Sequence, residues 1–113
     1  MTNQSPDLNR LFQALADPTR RGILERLARG PAPLSELARP SGLRLPTVMR
    51  HLAVLEAAGL VVTAKDGRVR TCAIVPTALA PMGDWLDQRR AEWEDRLDRL
   101  EAYVANLMKD RAP

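Results

Sequence analysis

The segment Leu43–Val61, which reads LRLPTVMRHLAVLEAAGLV, combines an apolar stripe with an open face. At 100° per residue, the apolar residues fall on one side of a helix: Val48, Leu52 and Leu55. The opposite side carries Arg50 and small alanines, with Thr47 and Met49 at its edges. A guanidinium can pair with guanine or bind a phosphate, a hydroxyl can bond to either, and a thioether can touch a thymine methyl. This chemistry is typical of nucleic-acid binding, although an ordinary amphipathic helix with a solvated face shows the same pattern.

Further cations surround the dipeptide Asp66-Gly67. Two β-branched runs flank this dipeptide, and that arrangement is one of the strongest sequence signals for a β-hairpin. Alternation along the strand predicts that Arg68 and Arg70 share one side, where they could contact a DNA backbone or minor groove; a solvated hairpin is the alternative. The sequence predicts the following DNA-binding residues: Arg44, Leu45, Pro46, Thr47, Met49, Arg50, His51, Lys65, Arg68 and Arg70.

Some of these residues have a second interpretation. Met49 could equally be a partly buried residue that fills a gap. His51 is the only histidine and lies near the apolar stripe, so the sequence favours a structural or phosphate-bonding role over metal ligation. Arg20 and Arg21 lie beside a predicted helix start, where charge pairing or a solvated face explains them.

Capping residues and apolar spacing predict the helices that precede this segment. A loose tail over residues 1–6 is followed by Asp7, which we expect to cap a first helix. The buried face of that helix is predicted to be Leu8, Leu11, Phe12 and Leu15. Asp17-Pro18 is typical of a helix start, and the second helix is expected to end near Gly30. Its inward side chains are predicted to be Ile23, Leu24 and Leu27.

The next elements form a helix-turn-helix followed by a hairpin. Pro31–Pro33 is interpreted as a linker, and a short third helix covers Ser35–Ala38 until Pro40-Ser41-Gly42 stops it. The fourth helix is predicted over Pro46–Ala58, with Gly59 as its left-handed cap. The expected fold is therefore mainly α with a small β-hairpin: a winged helix-turn-helix with a long C-terminal helix.

The C-terminal helix is predicted from about Met82 to Met108. Its apolar side chains repeat at alternating spacings of four and three, as in a heptad seam: Trp93, Leu97, Leu100, Val104 and Leu107. Leaving this seam in water would cost about 1.5–3 kcal/mol per large side chain, so a second copy of the chain is expected to cover it. Folding back along its own domain is the alternative. The predicted dimer interface comprises Leu8, Leu11, Phe12, Trp85, Leu86, Trp93, Leu97, Leu100, Tyr103, Val104 and Leu107.

Two i,i+4 ion pairs are expected outside this seam, Glu92 with Arg96 and Asp95 with Arg99. Residues 1–76 hold eleven Lys or Arg and six Asp or Glu, whereas residues 77–113 hold six and eight. The first part is thus basic, with a net charge of +5, and the second is acidic, with −2. We predict a DNA-binding domain over 1–76 and a dimerisation helix over 77–113, within one compact unit.

The composition of the 113 residues excludes several classes of protein. Charged residues make up 27% and hydrophobic residues 45%, which is ordinary for a folded domain. No apolar run approaches the roughly 18 residues of a membrane span, and no signal peptide is recognisable, so a cytoplasmic protein is expected. With one cysteine and one histidine in the chain, we expect no Ser/His/Asp or Cys/His catalytic set and no cluster of Cys and His metal ligands. No enzyme activity, cofactor or metal is predicted, and Cys72 is expected to pack as a small apolar residue.

Three stretches together resemble the ArsR/SmtB family of bacterial winged-helix transcription regulators: ALADPTRRGILERLARGPAPLSEL, LPTVMRHLAVLEAAGLV and GRVRT. The resemblance covers roughly residues 8–76. It implies a homodimer on an inverted repeat that usually blocks transcription, with the recognition helix at Pro46–Ala58. Family members often carry Gln-Ser-x-Val-Ser where this chain has residues 45–49, so two polar base-reading positions are apolar here. The family's Cys-x-Cys metal pair falls on Pro33 and Ser35, and no histidine follows His51, so no metal site is implied.

The sequence therefore predicts a dimeric DNA-binding regulator, with repression at a near-palindromic operator as the expected activity. A winged-helix module for protein–protein contact, with an incidental basic face, is the alternative. An unidentified small-molecule effector, or regulation by protein concentration alone, is left open.

Overall fold

The computed structural model describes residues 6–39 and 42–111, without the side chains of Pro6 and Asp7. Helix α1 spans Pro6–Leu15 and helix α2 spans Pro18–Leu27. Because α1 begins at Pro6, Asp7 lies inside the helix, and its prediction as the cap is wrong. The loose tail predicted over residues 1–6 otherwise lies outside the described residues. Pro40 and Ser41 of the predicted turn also lie outside them.

Helix α2 begins as its sequence predicts. Asp17 has an extended backbone, and its Oδ2 accepts a hydrogen bond from the Arg20 N–H at 3.1 Å, while Pro18 occupies the first turn. The three predicted inward residues of α2 are all buried: Ile23, Leu24 and Leu27. Gly30 follows the helix with a φ of 142°, in a region that L side chains rarely adopt.

The segment interpreted as a linker contains a short strand, β1, over Ala32–Pro33. Ala32 lies opposite Cys72 and is 1% exposed, so this strand is part of the core. The Pro-Ala-Pro sequence indicates no strand because proline lacks the N–H of a ladder hydrogen bond. Proline is nevertheless compatible with an edge strand, and β1 lies at the edge of the sheet. The predicted two-stranded hairpin is therefore a three-stranded antiparallel sheet.

The helix-turn-helix consists of α3 over Leu34–Ala38 and α4 over Leu45–Ala57. Helix α4 begins and ends one residue earlier than predicted, and Gly59 has the expected left-handed φ of 78°. The N–H of Gly59 bonds to the Glu56 carbonyl, and that of Leu60 bonds to the Leu55 carbonyl, which is the Schellman pattern. This end fixes the angle at which the chain leaves α4 and enters the sheet.

The wing consists of β2 over Val61–Asp66 and β3 over Val69–Ile74, with the strand order β1-β3-β2. The sheet packs on the helices through buried side chains that include Val61 and Cys72. A short 3-10 helix over Pro76–Leu79 then leads into helix α5, over Ala80–Asp110. Burial of Cys72 confirms its prediction as a core residue and raises the pKa of its thiol through desolvation.

The chain divides into two units, residues 1–82 and residues 83–113. The first unit contains the buried core, which draws on α1 to α4, the sheet and Met82. A salt bridge between Arg26 and Glu36, 2.9 Å long, joins α2 to α3 in this unit. The second unit is the remainder of α5. The arrangement of the two predicted parts as one compact unit stays a prediction.

Candidate DNA interface

Helix α4 is anchored by its apolar stripe, which is almost completely buried. Val48 and Leu55 are 0% exposed, and Leu52 is 3% exposed. Their burial confirms the predicted stripe and directs the opposite side of the helix outward. The exposed residues on or just before that side are Arg44, Leu45, Pro46, Met49, Arg50 and Ala53. Thr47, at the edge of this surface, is partly exposed.

The N-terminus of α4 lies at one end of this outward surface. Arg44 is the N-cap residue, and its carbonyl accepts hydrogen bonds from the N–H groups of Thr47 and Val48 at 3.0 and 3.2 Å. Pro46 contributes no N–H, and no side-chain hydrogen bond caps this end of α4. The partial positive charge of the helix N-terminus is therefore next to an exposed basic residue, Arg44 at the N-cap. This end of α4 can attract a phosphate.

The wing carries its three cations on the tip and on one face. Arg68 lies in the two-residue turn with Gly67, between the paired residues Asp66 and Val69. The prediction that it shares a strand face with Arg70 is therefore wrong, because the turn is shifted by one residue from Asp66-Gly67. Gly67 is therefore the first of the two central residues of the turn, and Arg68 is the second. The positive φ of Gly67, 64°, suits glycine at this first position.

Arg70 instead lies directly opposite Lys65 on the two paired strands. Directly opposed residues of an antiparallel pair point to the same side of the sheet, so these two cations share a face. Both are exposed, as is Arg68. The hairpin therefore presents one cation at its tip and two cations on one face of its strands.

Two grooves join the recognition helix to the wing. The first, of about 210 Å³, is lined by residues of α3, α4 and the hairpin, including Ser35, Leu45, Arg68 and Arg70. The second, of about 170 Å³, is lined by Met49, Glu56, Thr63 and Arg70 among others. Met49 is 46% exposed, so it is both a groove-lining residue and an accessible one. The fold thus places Leu45 and Met49 of α4 beside Arg70 of the wing.

His51 lies on the flank of α4, about 100° around the helix from Arg50, and contacts Arg20 of α2. Its side chain is 19% exposed, and its Nδ1 is 3.3 Å from Nη1 of Arg20 and 3.9 Å from Oδ2 of Asp17. Arg20 also donates from Nε to the Ala14 carbonyl at 2.7 Å. The interpretation of Arg20 as a solvated or merely charge-paired residue is therefore wrong. Helical spacing could not predict this contact, because Arg20 and His51 are 31 positions apart in the sequence.

Comparisons with known proteins agree on one family. A family described as a helix-turn-helix domain matches residues 15–64. The HTH-type transcriptional regulator Rv2034 of Mycobacterium tuberculosis is 47% identical over 87 residues, which cover 77% of this chain and 79% of the relative. The crystal structure of the ArsR family transcriptional regulator RHA00566 is 51% identical, with a TM-score of 0.74, and the match covers 78% of this chain and 97% of that one.

A solution structure from Mycobacterium bovis is also similar, with 25% identity and a TM-score of 0.62. It is described as the homodimeric winged helix-turn-helix DNA-binding domain of Mb0332, a possible ArsR-family transcriptional regulator, and the match covers 85% of this chain and 95% of that one. The chain belongs to the ArsR/SmtB family. It is a DNA-binding transcriptional regulator with a winged helix-turn-helix, as the sequence predicts.

This ArsR/SmtB regulator exposes the apolar side chains of α5 beyond Met82. The seam residues from Trp93 to Leu107 are between 43% and 62% exposed, and Trp85, Leu86 and Tyr103 are between 40% and 60% exposed.

The predicted interface residues of α1 differ in exposure, because Phe12 is 37% exposed whereas Leu11 is only 3% exposed. Leu11 is a core residue of its own chain, so its assignment to a dimer interface is wrong.

Leu8 and Leu15 of α1 pack partly against the core, and Ala14, which was not predicted to be buried, is 0% exposed. The α1 prediction is therefore correct for Leu11, partly correct for Leu8 and Leu15, and wrong for Phe12. On α5, the pair Asp95–Arg99 is present at 3.3 Å. Glu92 instead pairs with Arg89 at 2.7 Å, and the Arg89 guanidinium lies 5.2 Å from the ring centre of Trp85.

Within residues 6–39 and 42–111, the part of the chain that the structure describes, no three His, Cys, Asp or Glu side chains form a group that could hold a metal ion. Pro33 lies in β1 and Ser35 in α3, at the positions matched to the family's Cys-x-Cys pair. Over the same part of the chain, no helix has the length and apolar character needed to cross a membrane.

Proposed function

We propose that two copies of this regulator bind an inverted-repeat operator and repress transcription by occupying it. The outward face of α4 enters the major groove, and the wing contacts the adjacent backbone or minor groove. The observation that carries this proposal is the outward face of α4, which lies opposite a completely buried stripe. An α-helix fits the width of the major groove, so this face is of the right size to reach base edges.

The assignment of roles within the interface follows from exposure and chemistry. Arg50 is the residue most able to read a base, since its guanidinium can pair with two acceptors of guanine. Leu45 and Met49 offer apolar contacts to thymine methyl groups, and Thr47 can bond to a base edge or a phosphate. The remaining cations contact phosphates and position the protein: Arg44, Lys65, Arg68 and Arg70.

Dimerisation is supported by the exposed seam of α5 and by the homodimeric Mb0332 domain. A two-fold axis would place two recognition helices about one helical turn of DNA apart, roughly 34–36 Å. Each helix then reads one half-site of a near-palindrome. A dimer held in this way excludes other proteins from the DNA it covers, which is sufficient for repression at a promoter.

Binding-site selection from random duplex DNA tests the proposal with the 113-residue protein. We expect an inverted repeat with half-site centres about 10 base pairs apart. Arg50→Ala should cost about 1–3 kcal/mol in binding free energy and relax the preference at one position of each half-site. Met49→Ser should alter the base preference beside it.

Substitution of a cation in the wing is the comparison for these variants of α4. Arg68→Ala should weaken binding to all sequences alike and flatten the dependence of affinity on salt by about one unit for each subunit. If Arg50→Ala and Met49→Ser leave base preference unchanged, α4 does not read the operator. If the wild-type protein binds scrambled DNA as tightly as its own promoter, the proposed operator does not exist.

A further inference from the structure

The arginine pair at the start of α2 caps the preceding helix. Arg20 donates from Nε to the Ala14 carbonyl at 2.7 Å and from Nη2 to the Gln13 carbonyl at 3.0 Å, and Arg21 donates from Nη1 to the Leu15 carbonyl at 2.7 Å. The last four carbonyls of an α-helix have no partner inside the helix, and they carry partial negative charge. Both arginines therefore stabilise the C-terminus of α1, Arg20 through two carbonyls and Arg21 through one.

Arg20 also contacts helix α4, beyond this cap. Its Nη1 lies 3.3 Å from Nδ1 of His51, within hydrogen-bond range. A guanidinium has only donors and keeps its proton, so Nδ1 must be the acceptor. A neutral imidazole carries one proton, which then lies on Nε2.

The nearby carboxylate does not reverse this assignment. Oδ2 of Asp17 is 3.9 Å from Nδ1 of His51, which is too long for a hydrogen bond. The same oxygen already accepts the backbone N–H of Arg20 at 3.1 Å. Arg20 therefore leaves the Nε2–H as the single donor of this imidazole.

The place of His51 on α4 indicates what this donor can bind. His51 is one residue after Arg50 and thus lies about 100° around the helix from it. A helix is about 10–12 Å across, nearly the width of the major groove, so its flanks lie against the groove walls and its outward centre faces the base edges. The walls of the groove are formed by backbone phosphates.

We propose that Arg20 is a positioning residue that holds His51 as the neutral Nε2–H tautomer, and that this N–H donates to a DNA phosphate. The second part depends on the proposed docking of α4 in the major groove. Because a phosphate contact carries no base identity, His51 adds affinity on all sequences alike. Because the donor is neutral, it adds no charge neutralisation, so the salt dependence of binding is unchanged by it.

The tautomer can be measured without DNA, because the chain has one histidine and so gives one set of imidazole ¹⁵N signals. In the 113-residue ¹⁵N-labelled wild type at neutral pH, we expect the signals of the Nε2–H tautomer. Arg20→Gln should produce a mixture of tautomers. Arg21→Gln is the matched control, since it also removes a guanidinium cap of α1, and it should leave the imidazole signals unchanged.

The wild-type spectrum alone can overturn the proposal, so the test does not depend on Arg20→Gln being well folded. A protonated imidazole, an Nδ1–H tautomer or a mixture in the wild type would contradict the assignment. Unchanged signals in folded Arg20→Gln would show that Arg20 does not set the tautomer.

Two substitutions of His51 test the phosphate contact. The amide nitrogen of Gln can reach approximately the position of Nε2, whereas that of Asn reaches only the position of Nδ1. We expect His51→Asn to weaken binding about three- to tenfold on operator and random duplexes alike, with an unchanged salt slope. His51→Gln should stay close to the wild-type affinity.

Equal affinities of His51→Asn and the wild type would overturn the phosphate contact, and so would a flattened salt slope. A wild-type protein without DNA affinity would instead refute the proposed function. The tautomer result would still stand, so the two failures can be distinguished.

Discussion

The winged unit and the long helix beyond Met82 carry apolar side chains at similar helical spacings, yet they differ in exposure. In the first unit, the stripe of α4 is between 0% and 3% exposed, and α2 buries Ile23, Leu24 and Leu27. Beyond Met82, every seam residue from Trp93 to Leu107 is at least 43% exposed. A stripe covered within its own chain contributes to folding, whereas we propose that a second copy of the chain covers the exposed seam of α5. The two regions should therefore respond differently to substitution and to protein concentration.

The largest effect is expected from charges placed in the seam of α5. Leu97→Glu combined with Leu100→Glu should abolish the dimer, because two carboxylates from each copy would be buried without partners. Operator affinity should fall by about 100-fold or more, since each winged unit would bind its half-site alone. Sedimentation equilibrium measures the first effect, and titration of an operator duplex measures the second.

Ala102→Glu is the control for the seam, because residue 102 lies on the opposite side of α5 at 100° per residue and is exposed. It should leave the dimer and its DNA binding intact. Were the double seam variant to remain a dimer, the exposed seam would not be the interface.

A substitution in the buried core of the winged unit tests the other region of this comparison. Leu55→Ala should lower the free energy of unfolding by about 2–5 kcal/mol, because Leu55 is 0% exposed and its truncation leaves a cavity. The decrease should be the same at low and high protein concentration if the winged unit folds within one chain. Chemical denaturation at two concentrations measures it.

The neighbouring Val54 is 37% exposed on the same helix. Val54→Ala should therefore cost less than about 1 kcal/mol. Equal costs for the two variants would contradict the orientation of α4 on which the DNA interface depends.

Substitutions of charged groups in the two regions should produce a smaller difference in stability. Asp17→Ala removes the cap of α2 and should lower Tm by roughly 4–8 °C at fixed protein concentration, whereas Asp95→Asn, in an exposed pair on α5, should change Tm by less than about 3 °C. The Arg20 N–H, which donates to the carboxylate, holds the pKa of Asp17 below its usual 3.8. The stability from this ionised cap is therefore present above that value and lost as pH falls through the lowered pKa.

Asp17→Asn distinguishes the charge from the hydrogen bond, since an asparagine can cap a helix but does not titrate in this range. Its difference in stability from the wild type should shrink as the pH is lowered past the aspartate range. A difference that stays constant with pH would show that ionisation of Asp17 contributes nothing.

Much of the interface could be predicted from the sequence because its determinants are local. The stripe of α4, the Gly59 cap and the Asp17 cap depend on residues within four positions of one another, and helix geometry relates such residues directly. The position of the hairpin was also predictable, but not its turn residues. Asp-Gly is compatible with either register, and the pairing of Asp66 with Val69 places Arg68 at the tip.

The residue pattern alone was therefore sufficient to predict the helices α1 to α5, the caps at Asp17 and Gly59, the buried stripe of α4 and the resemblance to ArsR/SmtB regulators. The tertiary structure was needed to show that Pro33 joins a sheet opposite Thr71 and that Arg20 contacts His51. The physical reason is distance along the chain. Periodicity relates residues a few positions apart, whereas Arg20 and His51 are 31 positions apart and meet only after α2 and α4 pack together.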